Sequence, residues 1–109
     1  MHRTLDDFKS DFPDAWAAYE GLRNACDHEG PLDKKTVELI KIGIAAAQEH
    51  EGSLIAHVSQ ATKAGATPEE IYQAILQSTG LAGFAVTLHG IRSAKAYIET
   101  GSCKVAPLC

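Results

Sequence analysis

The chain has 109 residues, of which 45% are hydrophobic and 22% are charged. The length predicts a single domain over residues 1–109, and the composition excludes a disordered polypeptide. Ten basic residues against fourteen acidic ones give a net charge of −4, which argues against nucleic acids and anionic membrane surfaces as partners. The first residues turn acidic before any apolar run, so we expect no signal peptide. An odd number of cysteines, three, favours a reducing, cytoplasmic setting.

The spacing of the apolar residues is helical throughout the chain, and it predicts an all-α fold. A short amphipathic helix comes first, since apolar residues recur at helical spacing over residues 5–12. Pro13 suits the first position of a second helix, which ends near Cys26. A glycine and a proline at 30–31 break the chain after it.

Asp33 is the predicted N-cap of a third helix, which runs from Lys34 to about Glu49. Its apolar residues fall on two faces, so we expect this helix to be largely buried. These residues are Val37, Leu39, Ile40, Ile42, Ile44, Ala46 and Ala47.

Three further helices are predicted beyond an interruption at 50–52. The first has an apolar stripe over 54–61 and ends at Gly65. A threonine, a proline and a glutamate within 67–70 form a capping box at the start of the next. The last helix begins between Gly80 and Gly83 and ends at Gly101.

An uncharged stretch extends from Ile71 to Ile91. Its length would suit a membrane span, but polar residues and two glycines interrupt it, so we expect a helix pair buried in a core or subunit interface. The predicted architecture is a compact bundle of about five or six helices. Its core covers about residues 13–99, and residues 102–109 form a loose tail.

Glu38 lies in an otherwise apolar part of the third helix. A buried carboxylate must be paired or have a raised pKa. It is therefore either a functional carboxylate in a pocket or the partner of Lys34 or Lys41 in an ion pair on an exposed edge. The helix alone leaves both interpretations open.

Ser53 and His57 lie four residues apart, which places a hydroxyl and an imidazole on one side of a helix. This pair is the minimum for activating a nucleophile, and the alternative for Ser53 is an N-cap. His50 joins His57 and Glu38 in a conceivable two-histidine, one-carboxylate metal site, but the spacing lacks the tight pattern of metal motifs, so we predict no metal. His89 is either a hydrogen-bonded core histidine or a wall of the pocket.

Two segments and four candidate site residues follow one another in a specific order and spacing. They are the segments 31–40 and 63–71 and the pattern Glu38-x11-His50-x2-Ser53-x3-His57. Over residues 13–97 the chain resembles the carboxymuconolactone decarboxylase family, which includes the alkylhydroperoxidase D-like proteins. The resemblance implies an alkylhydroperoxidase D-like fold and a homo-oligomer, a trimer or a hexamer, that acts on a small molecule without an obligatory cofactor.

In the peroxidase branch of that family, a glutamate, a CxxC pair and a histidine reduce peroxide. Glu38 and His57 match this motif, whereas His50 and Ser53 stand where the cysteines would be. Because a serine hydroxyl cannot pass through sulfenic acid and disulfide, CxxC chemistry is absent at this position. The decarboxylase branch also lacks the cysteines. The resemblance thus implies lyase or decarboxylase-like acid–base chemistry with Glu38 and His57 as catalytic residues, while His50, Ser53 and His89 bind the substrate.

Two alternative functions stay open. One is a peroxiredoxin-type antioxidant activity with thiols from outside the motif, for which Cys103 and Cys109 are the only close pair. The other is a non-catalytic member of the family that binds a ligand or serves assembly.

Overall fold

The computed structural model describes residues 2–101, with the backbone alone for His2 and Arg3. Within this range the chain forms seven helical segments and no strand, which confirms the all-α prediction. They are α1 (His2–Asp11), α2 (Pro13–His28), α3 (Lys34–Ala47), α4 (Glu51–Lys63), α5 (Pro68–Leu76), α6 (Thr79–Ala82) and α7 (Phe84–Thr100). The four-residue α6 is a separate turn, which sequence reasoning had joined to the last helix. The predicted loose tail, residues 102–109, lies outside the described residues.

The contacts between residues divide the chain into two compact units, residues 1–32 and residues 33–109. The first contains α1 and α2, which only Phe12 separates in the chain, and the amide of Trp16 donates to the carbonyl of Phe12 at 2.9 Å. Pro13 occupies the start of α2, as predicted. The second unit contains α3 to α7. The prediction of one domain over residues 1–109 stays a prediction.

Two helices of the second unit begin at the predicted caps. The Asp33 carboxylate accepts a hydrogen bond of 2.8 Å from the amide of Thr36 at the start of α3. At the start of α5, Thr67 and Glu70 form the full capping box. The second carboxylate oxygen of Glu70 also accepts a hydrogen bond from Nζ of Lys35 at 3.0 Å, which joins the first turns of α3 and α5.

The core of the second unit lies among α3, α4, α5 and α7. Its buried members include Ile42, Leu54, Val58, Ala61, Ile71, Ile75 and Ala94. Gly90 lets α7 approach closely, because a Cβ atom at this position would lie 3.1 Å from Cγ2 of Ile75 and 3.4 Å from Cβ of Ala46. The helices therefore pack around small residues as much as around large ones.

The expectation that α3 is buried on most sides is wrong for one face, since Ile40 and Ile44 are exposed. In the uncharged stretch, Leu81 is 89% exposed and Phe84 is exposed as well. The buried positions of α7 are instead small or hydroxyl-bearing: Thr87, Gly90, Ser93 and Ala94. Close packing of this face turns the larger residues outward.

None of the helices within residues 2–101 combines the length and apolar character that a membrane crossing requires.

Three hydroxyl groups form hydrogen bonds with one another where α7 packs against α6 and the residue before it. Oγ1 of Thr87 lies 2.6 Å from Oγ of Ser78 and 2.9 Å from Oγ1 of Thr79. Ser78 also donates to the carbonyl of Ile75 at 2.7 Å. Because these buried polar atoms are paired, the contact between α6 and α7 carries no unsatisfied hydroxyl.

Candidate functional site

Glu38 on α3 and His57 on α4 are brought together across a short turn. The turn is tight: the amide of His50 donates to the carbonyl of Ala45 at 3.0 Å, and Glu49 takes a left-handed backbone conformation with φ of 55°. It reverses the chain, so that Oε1 of Glu38 lies 2.7 Å from Nδ1 of His57. The Glu38 side chain is 2% exposed and that of His57 is 27% exposed. The predicted catalytic pair is thus a direct contact between a buried carboxylate and an imidazole that reaches solvent.

Two lysines on α3 complete the surroundings of the Glu38 carboxylate. Nζ of Lys34 lies 2.9 Å from Oε2, and Nζ of Lys41 lies 3.9 Å from the same atom. Burial by itself raises the pKa of Glu38, but the hydrogen bonds from Lys34 and His57 outweigh it, so the pKa lies below its ordinary value of 4.5. Glu38 is therefore ionised at neutral pH. The ion pair of Glu38 with Lys34 is formed, as one of the two interpretations predicts, but the carboxylate is buried and does not lie on an exposed edge.

The geometry of the pair determines what His57 can do. When Nδ1 carries a proton, it donates that proton to the Glu38 carboxylate, and Nε2 is left to accept or release a proton. The arrangement is suited to general acid–base chemistry at Nε2.

His50 caps α4. Its Nδ1 accepts a hydrogen bond of 3.0 Å from the amide of Ser53. An accepting Nδ1 carries no proton, so the neutral ring holds its proton on Nε2. The N-cap interpretation for Ser53 is therefore wrong, because the cap is His50 and Ser53 lies within the first turn.

Replacing His50 with alanine removes this cap and lowers the free energy of unfolding by about 1 kcal/mol. His50→Asp retains most of the stability, because a carboxylate at an N-cap accepts the same amide hydrogen bond and suits the helix dipole. Urea unfolding at neutral pH measures both variants, with exposed Gln60→Ala on α4 as the control. Equal losses in His50→Ala and His50→Asp would contradict a capping role.

The remaining candidates do not join the pair in one described cluster. No group of three or more histidine, cysteine, aspartate or glutamate residues within the described part of the chain is arranged to hold a metal ion. His50, His57 and Glu38 are accordingly not arranged as such a group in the described part of the chain. Ser53 is half-buried. His89 is exposed, so its interpretation as a core histidine is wrong.

Two surface grooves lie on the second unit. The larger, of about 750 Å³, lies among α3, α5 and α6 and is lined by residues that include Ile40, Ile44 and Leu81. The smaller, of about 310 Å³, is lined by residues that include Ile71 and Tyr97. Glu38 and His57 line neither groove. The predicted catalytic pair therefore lies outside both grooves, and of its two residues only His57 reaches solvent.

Lys34 contacts the Glu38 carboxylate but is not among the predicted site residues. Its spacing of one helical turn from Glu38 is the signal that identifies it, since residues four apart on a helix are neighbours. The sequence presented this lysine only as one of two partners for an exposed ion pair.

The chain is similar to known proteins over most of its length. A model of the carboxymuconolactone decarboxylase family matches residues 12–96. A solved crystal structure of a carboxymuconolactone decarboxylase family protein from Legionella pneumophila, in its apo form, is 26% identical in sequence, with a TM-score of 0.81. The match covers 93% of this chain and 90% of that one. A comparison with curated proteins gives no match.

Proposed function

Because the chain belongs to the carboxymuconolactone decarboxylase family, we propose that it is a lyase that decarboxylates a small lactone acid by acid–base chemistry. The observation that carries this proposal is the 2.7 Å contact between the buried Glu38 carboxylate and His57. A charged carboxylate beside an imidazole that reaches solvent is suited to moving a proton. Glu38 and His57 are the proposed catalytic residues, and no cofactor is needed for this step.

Decarboxylation requires one proton for each molecule of carbon dioxide released. The bond between the carboxylate carbon and the ring breaks, and its electron pair enters the conjugated lactone. The imidazolium of His57 then donates the proton on Nε2 to the ring carbon, while Glu38 stabilises the imidazolium through Nδ1. The neutral imidazole takes up a new proton from solvent, which its partial exposure permits.

The proposed substrate contacts lie at the start of α4. The Nε2 proton of neutral His50 is one donor, and the Ser53 hydroxyl is another group able to bind a substrate oxygen. The amide of Ser53 is already used by His50, so it does not serve as a free anion donor. His89, exposed on α7, stays a proposed substrate-binding residue.

The test is carbon dioxide release from carboxymuconolactone by the purified protein. In mildly acidic buffer, where the carbon dioxide is not converted to bicarbonate and returns no proton, we expect one proton taken up for each carbon dioxide released, followed with a pH indicator and a carbon dioxide assay in the same sample. The matched control is the lactone that lacks the carboxyl group, from which no carbon dioxide is released. No release from carboxymuconolactone or from related lactone acids would overturn the proposal.

The peroxiredoxin-type alternative needs a thiol near the pair. Residues 33–101 contain no cysteine, and Cys26 lies exposed on α2. Dithiol-dependent consumption of an organic hydroperoxide that vanishes in a variant without Cys26, Cys103 and Cys109 would favour this alternative. Binding of a lactone acid without turnover would favour the non-catalytic alternative.

With only three cysteines in the sequence, the proposed location is the cytoplasm.

A homo-oligomer, a trimer or a hexamer, is the proposed assembly. Support comes from the large apolar residues that the second unit leaves exposed. They are Ile40, Ile44, Leu76, Leu81, Phe84 and Leu88. A neighbouring copy would also supply walls to the open edge at His57.

A charge placed on this apolar surface disrupts the proposed assembly. We expect Leu81→Asp to reduce the mass measured by light scattering after size-exclusion chromatography, because burying an unpaired carboxylate in an interface is costly. Gln60→Asp, on an exposed position of α4, is the control and retains the wild-type mass. A monomeric wild-type protein at micromolar concentration would contradict the proposal.

A further inference from the structure

One hydrogen bond joins the start of α4 to the middle of α7. Oγ of Ser93 donates to Oε1 of Glu51 at 2.9 Å. Ser93 is only 7% exposed, and Glu51 is half-buried. A hydroxyl buried to this degree needs a partner, and the carboxylate supplies one. The bond therefore holds the Glu51 side chain toward α7.

The three proposed substrate contacts lie close to this bond along the two helices. His50 directly precedes Glu51, and Ser53 follows it within the same helical turn. His89 lies four residues before Ser93, which is one turn of α7. Each of the three residues is thus within one helical turn of one end of the bond. The contact between α4 and α7 therefore joins the two parts of the proposed substrate site.

The Glu51 carboxylate carries the same charge as a lactone acid, which makes its orientation important. In the proposed site, the Nε2 proton of neutral His50 and the Ser53 hydroxyl bind substrate oxygens. A carboxylate that is free to rotate at position 51 competes for these donors and repels an acidic substrate. The hydrogen bond from Ser93 engages the carboxylate and leaves the donors to the substrate.

We infer that Ser93 is a positioning residue, which holds the Glu51 carboxylate away from His50 and Ser53 and so allows an acidic substrate to bind there. This inference rests on the proposed function, because the acidic substrate and its contacts are those proposed above. Ser93 acts on binding through Glu51 and takes no part in proton transfer. The proposed catalytic contact joins α4 to α3 instead, so the chemical step does not depend on Ser93.

Four variants separate the hydrogen bond from the charge. Ser93→Ala releases the Glu51 carboxylate. Glu51→Gln removes the charge but keeps an oxygen that accepts a hydrogen bond from Ser93. The combined variant Ser93→Ala/Glu51→Gln has a side chain that is released but uncharged. Ser59→Ala, at a half-buried position further along α4, is the matched control for the loss of a serine hydroxyl.

The first experiment measures carbon dioxide release from carboxymuconolactone by the full-length protein, with the lactone that lacks the carboxyl group as a competitive inhibitor. In Ser93→Ala we expect KM to rise by roughly fivefold, the effect of a like charge about 4 Å away in a water-like dielectric, while kcat keeps its wild-type value. The inhibition constant of the uncharged lactone is unchanged. The combined variant returns KM to the wild-type value, and Glu51→Gln and Ser59→Ala show no rise in KM.

A merely structural role of Ser93 gives a different pattern, because a distorted site binds both lactones less well. If KM and the inhibition constant of the uncharged lactone rise together in Ser93→Ala, the inference is overturned. The same holds if KM stays raised in the combined variant, or if KM in Ser93→Ala equals that of the wild-type protein.

The second experiment needs no turnover. NMR relaxation of the Glu51 side-chain methylene groups measures how firmly the side chain is held. We expect the order of this side chain to fall in Ser93→Ala and to stay at the wild-type level in Ser59→Ala. Equal order in Ser93→Ala and the wild-type protein would overturn the inference. A loss of order in Ser93→Ala supports the hold of Ser93 on Glu51 even if the wild-type protein turns over no lactone acid, and in that case the proposed function alone fails.

Discussion

We expect the replacement of His57 by alanine to lower the rate of the proposed lactone decarboxylation by about 10²–10⁴-fold, the usual contribution of a general acid or base. The loss follows from the removal of the only imidazole in contact with Glu38 among the residues that the structure describes. The helices stay folded, because Glu38 retains its contacts with Lys34 and Lys41. Steady-state measurements of carbon dioxide release give the rate, and circular dichroism verifies the fold.

A second histidine provides the control for this variant. His28, exposed at the end of α2, has its Nδ1 2.8 Å from the carbonyl oxygen of Asn24, and His28→Ala retains the wild-type rate. Full activity in His57→Ala would remove His57 from the mechanism. Loss of activity in both variants alike would show that the assay reports folding and not chemistry.

Glu38→Gln has two expected effects, on rate and on stability. The glutamine keeps the shape of the side chain but loses its charge, so His57 no longer has an anionic partner and the rate falls. The free energy of unfolding at neutral pH falls by about 1.5–3 kcal/mol, the range for hydrogen bonds to charged groups. Urea unfolding measures the loss. Glu99→Gln, which breaks the exposed pair with Lys95, is the control and costs no more than about 0.5 kcal/mol.

The stability effect depends on pH with a defined sign. Because the pKa of Glu38 lies below 4.5 in the folded protein, its ionisation stabilises the fold above that pH. The stabilisation is lost as the pH falls through the lower pKa of the folded state. The difference in the free energy of unfolding between wild type and Glu38→Gln is therefore largest at neutral pH and disappears in acid. A difference that is constant with pH, or that grows in acid, would contradict an ionised Glu38.

Local signals in the sequence predicted much of the fold. Asp33 caps α3, and Thr67 with Glu70 forms the capping box of α5, because each signal consists of residues within one helical turn. Spacing likewise offered Lys34 as a partner of Glu38. These features depend on neighbours in the chain and need no knowledge of the tertiary structure.

Features that depend on tertiary contacts were harder to predict. Helix α7 has two mostly apolar faces, and only close packing at Gly90 decides which one is buried. His50 becomes a cap only because α3 ends three residues before it and α4 begins directly after it. The contact between Glu38 and His57 depends on the chain reversal between these helices, which spacing alone does not predict, whereas the family resemblance implied that both residues are catalytic.

The central claim is that Glu38 and His57 act as one unit in proton transfer. The most direct measurement compares carbon dioxide release from carboxymuconolactone by the wild type, Glu38→Gln, His57→Ala and the double variant. We expect the double variant to be no slower than His57→Ala alone, because Glu38 acts through the imidazole. If the two losses instead multiply in the double variant, the residues act independently, which would contradict a shared role in proton transfer.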